Sequence, residues 1–270
     1  MTDPRFGDSA IFDSPATPRP RVLAIIPARW GSKGIAKKNL AECGGRPLVD
    51  WVIEAANESR HVTRGVLSSD GLQIRERATM AGGKVWPLPR PEELARDETP
   101  TEPVIQHAID QVGEEFDAYV LLQPTSPLTR GQDIDRAVEM LLLHPLDSVV
   151  SVVPSHTFLW RRLPESRWGL RSMPINYSLG SRPRRQDMVN EFEENGAIYV
   201  FTRALWEETG CRLGGRVGLY EMGEEHRFQV DSEMDLAIVD RWLWSRQGVD
   251  RGGRAALTDV RASGVEVGAR

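Results

Sequence analysis

Short unbroken apolar runs alternate with amphipathic stretches along the first half of the chain. Val22-Leu23-Ala24-Ile25-Ile26 stops at Pro27 and shows no polar alternation. That is the pattern of a strand buried on both faces of a parallel sheet. Pro47 to Ala56 has helical spacing, with Pro47 suited to a first turn. Gly65 to Asp70 reads as a second strand with a polar end, and Asp70 or a neighbour opens a helix through Met80. Lys84-Val85-Trp86 is a third short strand. A helix from Thr101 to Val112, a strand from Ala118 to Leu122, a helix from Gly131 to Leu143 and a strand from Ser148 to Val153 continue the rhythm. This alternation predicts an α/β fold, Rossmann-like and doubly wound, on a mostly parallel sheet. Ligands are expected at the carboxyl ends of its strands.

The rhythm breaks at about 154–190, where Trp160, Trp168 and Tyr177 stand among Arg and Pro. An insertion used for oligomer contact and a long surface excursion are both consistent with that composition. Gly196 to Phe201 resumes the sheet, Phe228 to Val230 reads as a late strand, and Asp235 to Trp244 as a closing helix. Residues 1–20 are polar and Pro-bearing and are expected to form a disordered tail. The Arg- and Gly-rich residues 246–270 are expected to form a flexible one. The ordered domain then spans 21–245. No repeat of solenoid length occurs.

Composition narrows the function class. With 270 residues, 40% of them hydrophobic, the chain can bury one sizeable core. A formal net charge of -5 argues against a nucleic-acid partner. Two cysteines, Cys43 and Cys211, give neither a disulfide framework nor a paired zinc motif, and suit a reducing compartment. The N-terminal residues lack the apolar core of a signal peptide, and no run has membrane-spanning length. A cytoplasmic protein without a membrane partner is expected.

Against this acidic background, the loop after the first strand is basic. Arg29, Lys33, Lys37 and Lys38 lie among Gly31 and Gly34. Glycine lets backbone amides approach an anion, and the cations supply the balancing charge. The loop matches neither GxxxxGK[ST] nor GxGxxG. Read alone it is either a phosphate cradle or a solvated basic turn.

Ile26-Pro27-Ala28-Arg29-Trp30-Gly31-Ser32-Lys33-Gly34-Ile35, followed by Lys38-Asn39-Leu40, resembles the opening of the acylneuraminate cytidylyltransferase family. Further blocks match in order. They are Arg90-Pro91-Glu92-Glu93-Leu94-Ala95 with Asp97, Leu121-Leu122-Gln123-Pro124-Thr125-Ser126-Pro127-Leu128, Arg184-Arg185-Gln186-Asp187, Asn195-Gly196-Ala197-Ile198-Tyr199, and Val230-Asp231 with Asp235-Leu236. The resemblance covers roughly residues 21–245. It implies a sheet of the nucleotide-diphospho-sugar transferase type and a homodimer built through the insertion. It also implies Mg²⁺-assisted attack of a sugar-acid hydroxyl on the α-phosphate of CTP, releasing pyrophosphate.

By that resemblance, Ala28, Arg29, Ser32, Lys33, Lys38 and Asn39 hold the nucleotide, with Arg29, Lys33 and Lys38 neutralising charge as pyrophosphate leaves. Arg90 and Thr101 fall near the cytosine ring. A surface ion pair of Arg90 with Glu92 or Glu93 stands as the other reading, and a helix-start role as the other for Thr101. Gln123 falls between nucleotide and acceptor, where its amide can donate and accept at once. Arg185 falls at the acceptor carboxylate, which a guanidinium binds bidentately. Arg161, Asn195 and Tyr199 complete the implied acceptor set. For Arg161 a surface position, and for Tyr199 a sheet position with its hydroxyl at the rim, stand beside that role. Asp231 is the implied Mg²⁺ ligand, with capping of the last helix as its alternative.

Three departures from the family pattern leave the CTP half intact and weaken the sialic-acid half, and the first also replaces a metal carboxylate with an amide, a weaker Mg²⁺ ligand. Gln229-Val230-Asp231 stands where sialic-acid enzymes carry Asp-x-Asp, and Thr129-Arg130 stands where Arg-Thr is common. Cys211-Arg212-Leu213 stands where an aromatic pair often lies. Three activities follow: CMP transfer to a nonulosonic acid, CMP transfer to another anionic acceptor such as a phosphonate, or nucleotide binding without turnover.

Overall fold

The computed structural model describes residues 19–163, 171–188 and 190–246. Residues 1–18 and 247–270, which make up most of the expected tails, and Trp168 lie outside the described residues.

The chain runs β1 (Val22–Pro27), β2 (Glu42–Cys43), β3 (Arg46–Pro47), α1 (Leu48–Glu58), β4 (Val62–Ser69), α2 (Leu72–Ala81) and β5 (Val85–Pro89). It continues through α3 (Thr101–Val112), β6 (Ala118–Leu122), α4 (Gly131–Leu143) and β7 (Ser148–Pro154). Then come β8 (Trp160–Arg162), β9 (Ser172–Pro174), β10 (Phe192–Thr202), α5 (Arg203–Thr209), β11 (Val217–Glu221) and α6 (Glu233–Arg246).

Seven strands form the central sheet in the order β11-β7-β10-β6-β1-β4-β5. β1 is parallel to β4 and β6, β4 to β5, and β7 to β11, while β10 is antiparallel to both neighbours. The registers pair Pro27 with Ser68, Ser69 with Pro89 and Ile25 with Leu121. The carboxyl ends of β1, β4, β5 and β6 therefore share one edge, and the loops after them converge there.

The apolar run of β1 divides by alternation. Val22, Ala24 and Ile26 face a core built with α1, α2 and α4, while Leu23 and Ile25 face one built with α3 and α5. All five are fully buried, each stabilising by roughly 1.5–3 kcal/mol for the larger side chains. A third, smaller cluster joins Ile35, Cys43, Leu48, Leu128, Val230, Val239 and Leu243. It ties the basic loop, the turn after β6 and the approach to α6 onto the inner face of α6.

Several boundaries differ from the sequence reading. Phe228 to Val230 forms no strand; the late strand is β11 at the sheet edge. β11 buries only alternate residues, so it lacks the continuous apolar run by which the inner strands stand out. α5 was also unanticipated; it starts where the Thr202 hydroxyl accepts the Leu205 amide at 3.2 Å. α1 begins at Leu48 with Pro47 as its cap, and α6 continues through Ser245 and Arg246. Within the excursion, β8 and β9 pair as a separate antiparallel ribbon. Beside it Tyr177 packs edge-on against Phe158 and Trp160, with ring centroids 5.0 and 6.0 Å away. Among the described residues, no helix is long and apolar enough to cross a membrane.

Candidate active site

A cleft of about 360 Å³ opens at the shared strand edge, lined by Arg29, Lys38, Asn39, Arg90, Thr101 and Gln123 among others. Five separate segments of sequence supply these six residues: the loop after β1, the end of β5, the start of α3 and the end of β6 surround a common space, with Asn39 on the turn preceding β2.

The loop is fixed before it reaches the cleft. The buried Ala28 donates its amide to the Ser68 carbonyl at 2.9 Å, and the Trp30 amide donates to the Asp70 carboxylate at 2.8 Å. Ala28 therefore anchors the loop to β4 and has no amide left to offer a ligand. Asn39 is buried and donates from its side-chain amide to the Arg29 carbonyl at 2.8 Å, holding the returning end. Gly34 packs so tightly on the Asp231 carbonyl that a β-carbon there would fall inside 3.0 Å. Only glycine permits this approach, and it sets the loop beside Asp231.

Three of the four cations of the loop meet two carboxylates, while Lys37 lies over the Trp30 ring. Arg29 and Lys33 both pair with Asp97, Lys33 at 3.2 Å. These contacts hold the Asp97 carboxyl below the usual carboxylate range, Arg29 contributing first. Lys38 pairs with Asp231 at 2.8 Å. Ser32 lies half-buried on the same loop.

Arg90 is 7% exposed, so the alternative surface pair with Glu92 or Glu93 is overturned. Its Nε donates to the Ser68 hydroxyl at 3.1 Å, and its Nη2 to the Ser68 carbonyl. Burial pushes its pKa down to about 10, which leaves it cationic at neutral pH. Thr101 is the first residue of α3, with Pro100 as the cap, so it opens the helix and lines the cleft together.

The capping alternative for Asp231 also fails. Ser232 and Asp235 cap α6 reciprocally: the Asp235 carboxylate accepts the Ser232 amide at 2.8 Å, and the Ser232 hydroxyl accepts the Asp235 amide at 3.3 Å. The Asp231 side chain is left 66% exposed, facing Lys38. As a donor set for Mg²⁺ it supplies one hard carboxylate, and phosphate oxygens and water must complete the shell, which fits the habit of that ion. Among the described residues, no group of three or more His, Cys, Asp or Glu could hold a metal by itself. The Gln229 side chain instead covers Gly196, whose φ is +64°.

The expected acceptor residues are more dispersed. Gln123 lines the cleft. Tyr199 is buried in β10 and donates its hydroxyl to Glu194 at 3.1 Å, with the Arg212 guanidinium 4.9 Å from its ring. Burial, then Glu194, raises its pKa. Asn195 is buried at the irregularity where β10 shifts register against β7. Its side chain accepts the Ser151 hydroxyl at 2.6 Å and the Ala197 amide at 3.3 Å, and donates to the Met222 sulfur at 3.2 Å. Those contacts give Asn195 a structural role at the register shift, and it does not line the cleft. Arg161 is exposed on β8, and Arg185 is exposed in a 3₁₀ turn beside the Arg184–Asp187 pair. Neither lines the cleft. Arg130 lies outside it too, on a separate cavity with Trp51 and Leu243.

Sequence reasoning gave no role to Arg96, Thr99, Val104 or Thr125, all of which line the cleft. The Thr125 hydroxyl is buried without a hydrogen-bond partner. The charge density of the segment between β5 and α3 was the available signal for Arg96 and Asp97.

The cytidylyltransferase family model matches residues 23–158. The chain belongs to the cytidylyltransferase family. The matched span holds every one of the six cleft residues named first. Among relatives of this cytidylyltransferase, N-acylneuraminate cytidylyltransferase B of Danio rerio is 34% identical over 86% of the chain and 54% of the relative. Post-translational flagellin modification protein B of Campylobacter coli is 29% identical over 81% of the chain and 93% of the relative. The chain spans about half the length of the N-acylneuraminate cytidylyltransferases it matches. A solved structure of CMP:2-keto-3-deoxy-manno-octonic acid synthetase complexed with CTP superposes with a TM-score of 0.62 at 18% identity. It covers 85% of this chain and 100% of that one, and it shows that the two share a fold.

Proposed function

We propose that this cytidylyltransferase transfers CMP from CTP to the hydroxyl of a nonulosonic, sialic-acid-like sugar acid. The observation that carries the reading is the meeting of Arg29, Lys38, Asn39, Arg90, Thr101 and Gln123 in one cleft at the carboxyl ends of the strands. The acceptor oxygen bonds to the α-phosphorus, the bond to the bridging oxygen breaks so that pyrophosphate leaves with the electron pair, and the hydroxyl proton passes to water. Such a displacement asks the protein for position and charge neutralisation above all. Arg29, Lys33 and Lys38 neutralise the triphosphate, Arg90 and Thr101 read the base, and Gln123 faces the acceptor. Asp231, with the phosphates, would hold Mg²⁺, which supplies further neutralisation of the leaving pyrophosphate. Relatives named N-acylneuraminate cytidylyltransferase support the acceptor class.

The domain occupies 21–245, and 154–190 serves as an arm for a homodimer. Leu159, Trp160, Met173, Ile175 and Leu179 expose large apolar surface there, of the kind that interfaces cover. In a dimer Arg161 and Arg185 are available to an acceptor carboxylate. Cys43 and Cys211 are free thiols, consistent with the cytoplasm.

The test is pyrophosphate release from CTP and Mg²⁺ across a panel of nonulosonic acids and phosphonates. Release with a nonulosonic acid, and far less with ATP or GTP, is expected. Turnover confined to phosphonates would move the acceptor class, and CTP binding without turnover on any acceptor would make the chain a non-catalytic nucleotide binder.

A further inference from the structure

We infer that Asp97 is a built-in competitor of the triphosphate for Arg29 and Lys33, and that it thereby sets nucleotide affinity and helps pyrophosphate leave. The inference rests on the triphosphate site proposed above. Asp97 sits on the segment between β5 and α3, on the wall of the cleft opposite the basic loop. Its Oδ1 takes the Arg29 Nη1 and its Oδ2 takes the Lys33 Nζ at 3.2 Å, so one carboxylate spans both cations as a phosphate would. Lys38 has its own carboxylate, Asp231, at 2.8 Å. Arg90 is turned toward Ser68. Among the described residues, Asp97 is thus the acid that pairs with both Arg29 and Lys33.

A triphosphate that engages Arg29 and Lys33 must break both pairs and then accept a nearby carboxylate. Both costs are recovered when pyrophosphate departs and the cations return to Asp97. The Asp97 side chain is 34% exposed, so these are partly screened pairs. Their combined effect on ligand affinity is set at about three- to tenfold, the range of two such pairs.

The test is calorimetric binding of pyrophosphate and of CTP to the full chain and to Asp97→Asn, which keeps the shape and removes the charge. Steady-state inhibition by pyrophosphate is read alongside. Asp97→Asn is expected to bind both ligands about three- to tenfold more tightly, to lower the KM for CTP and to be more sensitive to pyrophosphate. The change in KM is expected to exceed the change in kcat. Asp97→Glu restores the charge and is expected to return affinity toward that of the parent. Unchanged or weaker binding by Asp97→Asn, with parental binding intact, overturns this inference alone. Failure of the parent to bind either ligand overturns the triphosphate site as well.

Discussion

Gly34→Ala is the smallest change that separates the two halves of the phosphate site. A β-carbon at residue 34 would fall inside 3.0 Å of the Asp231 carbonyl oxygen, whereas ordinary contact begins at 3.4 Å. The obstacle is backbone, which cannot rotate away as a side chain can. The loop and the Asp231 segment must therefore part by about an ångström to restore ordinary contact. Both are anchored nearby through Ile35 and Val230 in the small cluster on α6, so relief comes at the site itself. Lys38 and Asp231 lie across this seam, 2.8 Å apart. Catalytic groups tolerate about 0.5 Å of displacement, and about 1 Å can cost a hundredfold. The expected result is a fall in kcat/KM for CTP of about ten- to a hundredfold, or about 1.4–2.7 kcal/mol of transition-state stabilisation. Residue 34 is exposed, so the thermal midpoint should hardly move. The assay is pyrophosphate release at varied CTP, paired with a thermal melt. An alanine variant turning over within twofold of the parent would refute the claim that this contact sets the site. A large drop in melting temperature would show the strain being absorbed in the fold instead.

Three further outcomes are expected. Asn195→Leu leaves the Ser151 hydroxyl and the Ala197 amide without their buried partner and should cost about 2–4 kcal/mol in urea unfolding at constant m-value. Burial, then Asp240, pushes the Cys43 thiol up to about 12, while Cys211 is exposed. One thiol per native chain should therefore react with a disulfide reagent at pH 8, two should react after unfolding, and Cys211→Ser should abolish the native reaction. Finally, the Asp235 carboxyl is held below its ordinary range, chiefly by the Ser232 hydroxyl. Its contribution is present above the unfolded carboxyl value of about 3.9 and is lost as pH falls through the lower folded value. Melts should show α6 losing stability in acid, and Ser232→Ala should cost about 1 kcal/mol at pH 7.

The inner strands were legible because burial on both faces writes an unbroken apolar run, as in β1 and β6. β11 was not, because an edge strand buries only Gly218 and Tyr220 on alternate positions. Phe228 to Val230 misled for the opposite reason. Its apolar residues serve unrelated ends: Phe228 is 40% exposed, and Val230 belongs to the cluster on α6. At the site, position after a buried strand pointed to the basic loop, and ordered blocks pointed to Arg90, Thr101 and Gln123. Hydrogen-bond partners were not legible. Nothing in the string Asn195-Gly196-Ala197 distinguishes an acceptor contact from a side chain that stitches a register shift together. Likewise, two acids four residues apart, Asp231 and Asp235, divide their labour only through Ser232, which makes one a cap and leaves the other facing Lys38.

The two ends of the proposed reaction rest on different kinds of support. Arg29, Arg90 and Gln123 lie within two residues of the ends of strands whose registers fix them relative to one another, and the cluster of Ile35, Leu128 and Val230 locks the intervening loops to α6. Such a base resists displacement, as charge stabilisation of a triphosphate requires. Arg161 and Arg185 instead stand exposed on or beside a two-stranded ribbon outside the main sheet. Tyr199, although in the sheet, meets Arg212 from the stretch between α5 and β11, where Arg212 also pairs with Glu102 of α3. The proposed acceptor residues are thus divided between segments outside the main sheet and one buried sheet position. Gln229 covers Gly196 beside the register shift that Asn195 holds, while Asp231, two residues on, faces Lys38. In the proposed reaction, an amide at Gln229 leaves in place the strand ends that carry Arg29, Arg90 and Gln123. That separation is consistent with a chain whose departures from the family pattern fall at Gln229 and Cys211-Arg212-Leu213 rather than at the strand ends.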